Sequence, residues 1–246
     1  MARAKRHYVP DQIWHITQRC HKREFLLKFK HDRHRWIQWL FEAKRRFGLV
    51  VLNYVVTSNH IHLIVKDDSD QKIIPQAVGL VAGRTAQEYN RRKRRKGAFW
   101  EDRYHSTAIE NGEHLLRCLV YIDLNMVRAG VVGHPSKWPH SGYNEIQAPR
   151  RKNIIIVHDR LRELAGFKHY ESFTSAHRKW VQAALEKEKT GGRRVLPWGA
   201  VRLSNALKTP WELWQRAAQS TPPKVHLNCW KHNPPILRFL APKMAI

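Results

Sequence analysis

Hydrophobic residues in the first half of the chain recur with two different spacings, and each spacing predicts a different kind of element. Apolar and polar residues alternate from Ile13 to Arg19, which is typical of a half-buried strand. Four short segments are predicted as β-strands: residues 13–19, 49–56, 60–66 and 105–109. Apolar residues recur every three to four positions in residues 32–47 and 75–92, which predicts two amphipathic helices. Only a Thr-Ser-Asn turn separates the second and third strands, so we expect them to pair antiparallel.

Residues 111–130 predict a third helix that is apolar over most of its surface. Asn111 is a suitable N-cap, and Gly130 can end the helix. At about 100° per residue, the polar side chains share one strip roughly 80° wide. These are His114, Arg117, Tyr121, Asn125 and Arg128. The order of elements predicts an α+β fold, an antiparallel sheet with flanking helices.

The length of 246 residues suggests one main domain and an appendage. We predict a main domain over residues 1–149 and a basic, mainly helical extension over residues 150–246, which ends in an extended strap. Helices are expected at residues 172–189 and 203–218, with a hinge at residues 191–194. The tryptophans of the extension are expected to pack onto the main domain, and recognition of a nucleic-acid hairpin is their alternative role. They are Trp180, Trp198, Trp211, Trp214 and Trp230.

The charge of the chain indicates a polyanionic partner. There are 45 Lys and Arg residues against 20 Asp and Glu, a formal net charge of +25, and the pI is about 10.5. No apolar stretch approaches the ~20 residues of a membrane helix, and the N-terminus has no apolar signal-peptide core. Cys20, Cys118 and Cys229 form neither a disulfide framework nor a CxxC pair. We therefore expect a cytoplasmic protein that binds nucleic acid and not membrane.

His60 and His62 form the most informative pair of residues. Because alternate residues of a strand share a face, the two imidazoles would project side by side. Neutral imidazole binds divalent cations, so the pair can hold a metal ion. Taken alone, the pair is weak evidence for a metal site, and two histidines on the solvated face of a strand are the favoured interpretation.

The strip of the third helix adds a phenol and an amide to this pair. Tyr121 and Asn125 lie one turn apart and point the same way. Two imidazoles and an amide oxygen, without a thiolate, suit Mg²⁺ or Mn²⁺ with open positions for phosphate oxygens. Tyr121 is then a candidate nucleophile, although a half-buried tyrosine on a solvated helix face is common.

These residues give the chain a resemblance to REP-associated tyrosine transposases, a branch of the single-tyrosine HUH superfamily. His60-Ile61-His62 is similar to the metal-binding motif of that family, and residues 121–125 are similar to the helix that carries its nucleophile. Further similar segments, which together span residues 1 to about 147, are residues 15–19, Asn59, residues 99–106, residues 127–130 and residues 138–141. Met126 is a departure, since relatives usually carry proline after the asparagine.

The resemblance implies a ferredoxin-like sheet and a metal-dependent endonuclease and strand transferase acting on single-stranded DNA. His60, His62 and Asn125 would hold Mg²⁺ or Mn²⁺, and Tyr121 would form a 5′-phosphotyrosine at hairpins of palindromic repeats. Contacts to the DNA backbone are expected from a basic run and from neighbouring arginines. These residues are Arg84, Arg91, Arg92, Lys93, Arg94, Arg95, Arg117 and Arg128. Trp100 and Tyr104 are expected either to stack on bases or to pack in the core. The sequence leaves open whether the protein is a monomer or a homodimer.

Two other functions remain compatible with the sequence. A sequence-specific DNA- or RNA-binding protein without catalysis needs only the charge and the aromatic residues. A metal-dependent hydrolase would use Tyr121 to orient water and would form no covalent adduct. A zinc finger is disfavoured, because no cysteine pair accompanies the histidines.

Overall fold

The computed structural model describes residues 11–67, 71–110 and 112–190. Its strands are β1 (Ile13–Arg19), β2 (Val50–Val56), β3 (His60–Lys66) and β4 (His105–Ile109). They form one antiparallel sheet with the order β2-β3-β1-β4. The helices are α1 (Lys30–Phe47), α2 (Ile73–Arg92), α3 (Glu113–Asp123), α4 (Asn125–Arg128), α5 (Tyr143–Gln147), α6 (His158–Leu164) and α7 (Tyr170–Thr190). The predicted α+β class, an antiparallel sheet with flanking helices, is confirmed.

The two faces of the sheet carry different residues and different helices. Ile61 and Leu63 of β3 face α1 and α2, where they line a small cavity with Trp36 and Val78. The intervening residues of β3, which include His62, point to the opposite face, as the two-residue period of a strand requires. There the ring of His62 meets the ring of Tyr121 from α3. The sheet therefore separates an apolar layer from a layer that holds the histidines.

The segment that carries Tyr121, formed by α3 and α4 and called the tyrosine helix, is interrupted. The prediction of one continuous helix over residues 111–130 was therefore wrong at Leu124. Leu124 adopts a turn conformation between α3 and α4, and Asn125 begins the second segment. In a continuous helix the carbonyl of Tyr121 would accept from the amide of Asn125. Here that carbonyl accepts from Nη1 of Arg128 at 3.1 Å, a side-chain donor at the break. Gly130 follows in the left-handed region with φ +68°, and the predicted N-cap Asn111 lies outside the described residues.

The described part of the C-terminal extension packs on the main domain. Helix α7 lies against α3, and its Phe173 and Val181 are fully buried, with Trp180 nearly so. The sequence predicted this helix over residues 172–189 but missed α5 and α6, whose lengths of 5 and 7 residues leave little periodic pattern. The hinge, the second helix, the other four tryptophans and the strap lie outside the described residues, and the domain boundary at residue 149 stays a prediction. Among the described helices, none has the length and apolarity that crossing a membrane requires.

Gly142 is packed so closely that a methyl group cannot be added without displacement. A Cβ there would lie 2.8 Å from Cδ1 of Ile156 and 3.3 Å from the amide of Tyr54, and would overlap Oδ1 of Asn53. We expect Gly142→Ala to lower the free energy of unfolding by about 1–3 kcal/mol, the usual cost of overpacking a core. Urea denaturation measures this.

Gly83 in α2 is a matched control, because a Cβ there would meet no atom within 4 Å. Gly83→Ala should raise the free energy of unfolding by about 0.5–1 kcal/mol, since alanine favours the helix over glycine. Equal urea midpoints for Gly142→Ala and the wild type would contradict the close packing.

Candidate functional site

The two histidines of β3 lie side by side on the face of the sheet that α3 covers. His60 is 7% exposed and His62 is 2% exposed, so both imidazoles are removed from bulk solvent. Their ring centroids are 5.1 Å apart and the rings are nearly perpendicular. In the sheet, His62 pairs with Thr17 of β1 and with Val55 of β2, which places it on a central strand.

Hydrogen bonds fix which nitrogen each ring presents to the site. Nδ1 of His60 is 2.8 Å from Oγ1 of Thr57 and 2.7 Å from Oδ1 of Asn59. Nδ1 of His62 is 2.8 Å from Nε2 of His15. Each ring is thus held through Nδ1 and directs Nε2 away from that contact, the arrangement by which proteins orient metal-binding histidines.

Asn125 lies where these two Nε2 atoms point. Its Nδ2 atom is 3.3 Å from Nε2 of His62, and its side chain is close enough to His60 to affect the pKa of that imidazole. Rotation of the amide by half a turn would direct Oδ1 toward the same position. The structure therefore brings His60, His62 and Asn125 together, although 63 residues separate His62 from Asn125.

His15 is a further member of this cluster, and the chemistry of the predicted site residues did not indicate it. Its ring stacks on that of His62 with a centroid distance of 5.0 Å and an interplanar angle of 17°. The feature that places His15 here is the antiparallel register of β1 and β3. Because Thr17 pairs with His62, His15 lies on the same face of the sheet as His62, one diagonal step away. Without a known register, the sequence alone does not give this neighbour.

All three imidazoles are neutral near pH 7. Burial lowers the pKa of His60 to about 3, and the charge of Arg19 lowers it further, while the interaction with the side chain of Asn125 opposes the shift. Burial likewise lowers the pKa of His15 to about 4 and holds the pKa of His62 well below its usual value. A neutral imidazole has a lone pair for a cation, so the rings are already in the form that coordinates a metal.

Tyr121 lies over these rings. Its ring centroid is 5.8 Å from that of His62 and 6.3 Å from that of His15, both in edge-to-face geometry. The guanidinium carbon of Arg128 is 5.1 Å from the centroid of the tyrosine ring. Burial raises the pKa of Tyr121, and the positive charge of Arg128 partly opposes that shift. The phenol is therefore protonated near neutral pH and has a cation beside it.

The two arginines of the tyrosine helix have partners within the protein. Nε of Arg128 donates to Oε1 of Glu188 on α7 at 2.6 Å, and Arg117 forms an ion pair with Glu113 one turn away. Arg128 therefore joins α4, the carbonyl of Tyr121 and α7. Their contact with DNA stays a prediction.

Asp123 anchors the tyrosine helix from its buried side. Its Oδ1 accepts from Nδ2 of Asn53 on β2 at 3.0 Å, and its Oδ2 is 2.8 Å from Nε2 of His177 on α7. Nδ1 of His177 is 2.8 Å from Nε2 of Gln147. Asp123 and His177 are fully buried, so this network fixes α3 between the sheet and α7. The sequence offered one clue, a carboxylate on the apolar side of the helix between Tyr121 and Asn125.

The predicted basic run lies at the C-terminal end of α2. Its side chains are exposed except for that of Arg95, which is partly buried. Arg92 forms an ion pair with Asp32 of α1, and Arg95 lies 3.6 Å from Glu24. Arg84 is also exposed, with its guanidinium 5.5 Å from the ring centroid of Trp39.

Trp100 and Tyr104, the two candidate stacking residues near the basic run, both pack within the protein. Nε1 of Trp100 donates to the carbonyl of Ala82 at 3.0 Å. Tyr104 is buried.

The imidazoles of His60 and His62 and the amide of Asn125 suit a hard divalent cation only if oxygen atoms of the substrate supply the remaining ligands. Within the described residues, no group of three or more His, Cys, Asp or Glu side chains is arranged to hold a metal ion. His15 is directed at His62 and so does not add a third ligand. Two imidazoles and the amide of Asn125 leave positions for other oxygen ligands, which is common in sites that act on phosphate esters.

Comparisons with known proteins show a similarity to transposases. Residues 8–125 match the family model described as transposase IS200 like, and no curated protein matches the sequence. Among solved structures, a REP-associated tyrosine transposase bound to a REP hairpin is 21% identical with a TM-score of 0.48, over 61% of this chain and 87% of that chain. A candidate transposase from Deinococcus radiodurans R1 is 17% identical with a TM-score of 0.35, over 53% of this chain and 98% of that chain. The predicted resemblance is confirmed over residues 8–125, which match the model of the IS200-like transposases and include His60, His62, Tyr121 and Asn125.

Proposed function

We propose that this protein cuts and rejoins single-stranded DNA by metal-assisted transesterification, with Tyr121 as the nucleophile. One observation carries the proposal. The imidazoles of His60 and His62 and the amide of Asn125 converge directly beside the ring of Tyr121. A nucleic-acid-binding protein without catalysis has no need for neutral, oriented imidazoles around a half-buried phenol.

His60, His62 and Asn125 are the residues that would hold Mg²⁺ or Mn²⁺. When bound, the ion would neutralise charge on the oxygens of the scissile phosphate. His15, Thr57 and Asn59 orient the two imidazoles through Nδ1. The burial of the histidines keeps them deprotonated and limits water at the reacting phosphorus.

The reaction of Tyr121 exchanges one phosphodiester for another. Its hydroxyl oxygen bonds to phosphorus, the bond from phosphorus to the 3′ oxygen breaks, and the protein carries a 5′-phosphotyrosine. The phenol loses one proton and the departing 3′ oxygen gains one, so protons balance. Arg128 beside the ring stabilises the developing phenolate. Since the phosphoester is conserved, a 3′-hydroxyl can reverse the attack and reseal a strand without ATP.

The substrate we propose is single-stranded DNA that folds into hairpins of palindromic repeats. The net charge of +25 supports a polyanionic substrate, and the family supports DNA. The hairpin enters as an expectation from the resemblance to REP-associated transposases.

A single incubation separates the three candidate functions. A labelled hairpin oligonucleotide with single-stranded flanks is incubated with the protein and Mn²⁺, then analysed on a denaturing gel. A labelled band that migrates with the protein supports transesterification. Shorter products without that band indicate a hydrolase, and retardation on a native gel alone indicates a binding protein.

His15→Ala is expected to weaken metal binding without removing a ligand. Loss of an outer partner of a metal-binding histidine typically costs about 10- to 100-fold in affinity, and His15 is the residue that holds Nδ1 of His62. Titration of the protein with Mn²⁺, followed by electron paramagnetic resonance of the free ion, measures the Kd. His34→Ala, an exposed histidine of α1, should leave the Kd unchanged. An unchanged Kd in His15→Ala would show that this residue does not support the site.

A further inference from the structure

Two phenylalanines are exposed to solvent in the segment between β1 and α1. Phe25 is 65% exposed and Phe29 is 54% exposed, and Val131, at 55%, is the other large apolar residue with comparable exposure among the described residues. Exposed apolar side chains are common singly. Two aromatic rings within five residues of each other, beside a basic run, make a distinct pattern.

The segment that carries these rings is firmly held. Nη1 of Arg33 donates to the carbonyls of Leu27 and Lys28 at 2.9 and 2.5 Å. Leu26 and Leu27 are buried, and the amide of Leu27 donates to the carbonyl of Ser58 at 2.9 Å. Because the backbone is fixed between these contacts, the exposure of the phenylalanines is a property of the folded state.

The basic run at the end of α2 reaches this segment at two points. Nζ of Lys93 lies 5.3 Å from the ring centroid of Phe29, and Arg95 lies 3.6 Å from Glu24, the neighbour of Phe25. We name Phe25, Phe29 and residues 91–96 together the stacking surface. Cations interleaved with exposed aromatic rings are the usual composition of surfaces that bind single-stranded nucleic acid.

The same segment contacts the turn that orients His60. Nδ2 of Asn59 donates to the carbonyl of Arg23 at 3.2 Å, and the amide of Cys20 donates to the carbonyl of Asn59 at 2.7 Å. Oδ1 of Asn59 in turn is 2.7 Å from Nδ1 of His60. The segment that carries the phenylalanines therefore contacts the candidate active site through Asn59.

We propose that Phe25 and Phe29 stack on unpaired bases of the DNA strand, with the phosphates of that strand along residues 91–96. This inference rests on the proposed function for the identity of the substrate. Stacking uses the π-face that every base presents, so the surface selects single strands over duplex without reading sequence. It positions the strand for cleavage beside His60 and takes no part in the chemistry.

Binding to single-stranded and duplex DNA tests the proposal. Phe25→Ala and Phe29→Ala are made in the full chain that also carries Tyr121→Phe, and binding is measured with chelator present, so that neither metal nor covalent chemistry contributes. The probe is a fluorescein-labelled oligonucleotide that contains 2-aminopurine and forms no hairpin. Each substitution should weaken single-strand binding by about 10-fold and should reduce the quenching of 2-aminopurine that stacking causes. Binding to a duplex of equal length should change less than about 2-fold, since its bases are already stacked.

Two control variants test whether a change in DNA binding comes from the loss of an aromatic ring. Val131→Ala removes an equally exposed apolar side chain and should not change binding. Phe29→Tyr keeps a flat ring and should restore the quenching.

Unchanged single-strand affinity, or equal losses for single strand and duplex, would overturn the stacking surface. The proposed function is tested separately, because a wild-type protein that forms no covalent adduct would refute the chemistry and leave these affinities as they are.

Discussion

Tyr121→Phe is expected to abolish the covalent protein–DNA adduct and to lower strand cleavage by at least about 1,000-fold, because no other atom in the variant replaces the attacking oxygen. Phenylalanine keeps the ring that packs against His62 and under Arg128. Folding and DNA affinity should therefore be retained. A denaturing gel of radiolabelled oligonucleotide after incubation with Mn²⁺ measures the adduct.

Tyr143→Phe is the matched control for that experiment. Tyr143 is a buried tyrosine on α5 whose ring packs near His177, so it is also removed from bulk solvent but faces a different site. It should form the adduct at the wild-type rate. An adduct that persists in Tyr121→Phe would assign the nucleophile to another residue.

His60→Ala and His62→Ala are expected to reduce metal-dependent cleavage to background while DNA binding is largely retained. Each variant removes one imidazole of the proposed metal site, whereas most of the binding free energy comes from phosphate contacts elsewhere on a protein of charge +25. Cleavage and single-strand affinity are measured on the same preparations, with Mn²⁺ titrated over several orders of magnitude.

The comparison between the two measurements decides the role of the histidines. Loss of cleavage together with weaker Mn²⁺ binding supports metal ligation. Equal loss of cleavage and DNA affinity would instead indicate a structural role for the buried rings, and retained cleavage would remove them from the mechanism.

Local periodicity was sufficient to predict which side chains share a face. The two-residue period of β3 places His60 and His62 together, and the helical period places Tyr121 and Asn125 on one strip. Both patterns depend only on residues close in sequence. For the same reason the strands Ile13–Arg19, His60–Lys66 and His105–Ile109 have the bounds that the sequence indicates.

Contacts between distant segments were beyond the reach of such patterns. The stacking of His15 on His62 requires the register between β1 and β3, and the bond between Asp123 and His177 spans 54 residues. The helix break at Leu124 also depends on tertiary structure. At the break, the carbonyl of Tyr121 accepts a hydrogen bond from the side chain of Arg128. Glu188 of α7 holds that side chain in place.

Helix α7 therefore supports the candidate site although it lies outside residues 8–125, which match the family. Its His177 holds Asp123 of the tyrosine helix, and its Glu188 holds Arg128 beside the phenol. Both contacts act on the segment that carries Tyr121 and Asn125. We expect the position of the phenol over the histidines to depend on this helix.

Mass spectrometry of the trapped adduct tests the central claim most directly. Trypsin cuts after Arg117 and Arg128 and releases residues 118–128, a peptide in which Tyr121 is the single tyrosine. After incubation with Mn²⁺ and oligonucleotide, followed by nuclease digestion, the proposed mechanism predicts this peptide with a 5′-linked nucleotide phosphate on Tyr121. A nucleotide attached to any other residue, or cleaved DNA with every peptide unmodified, would contradict it.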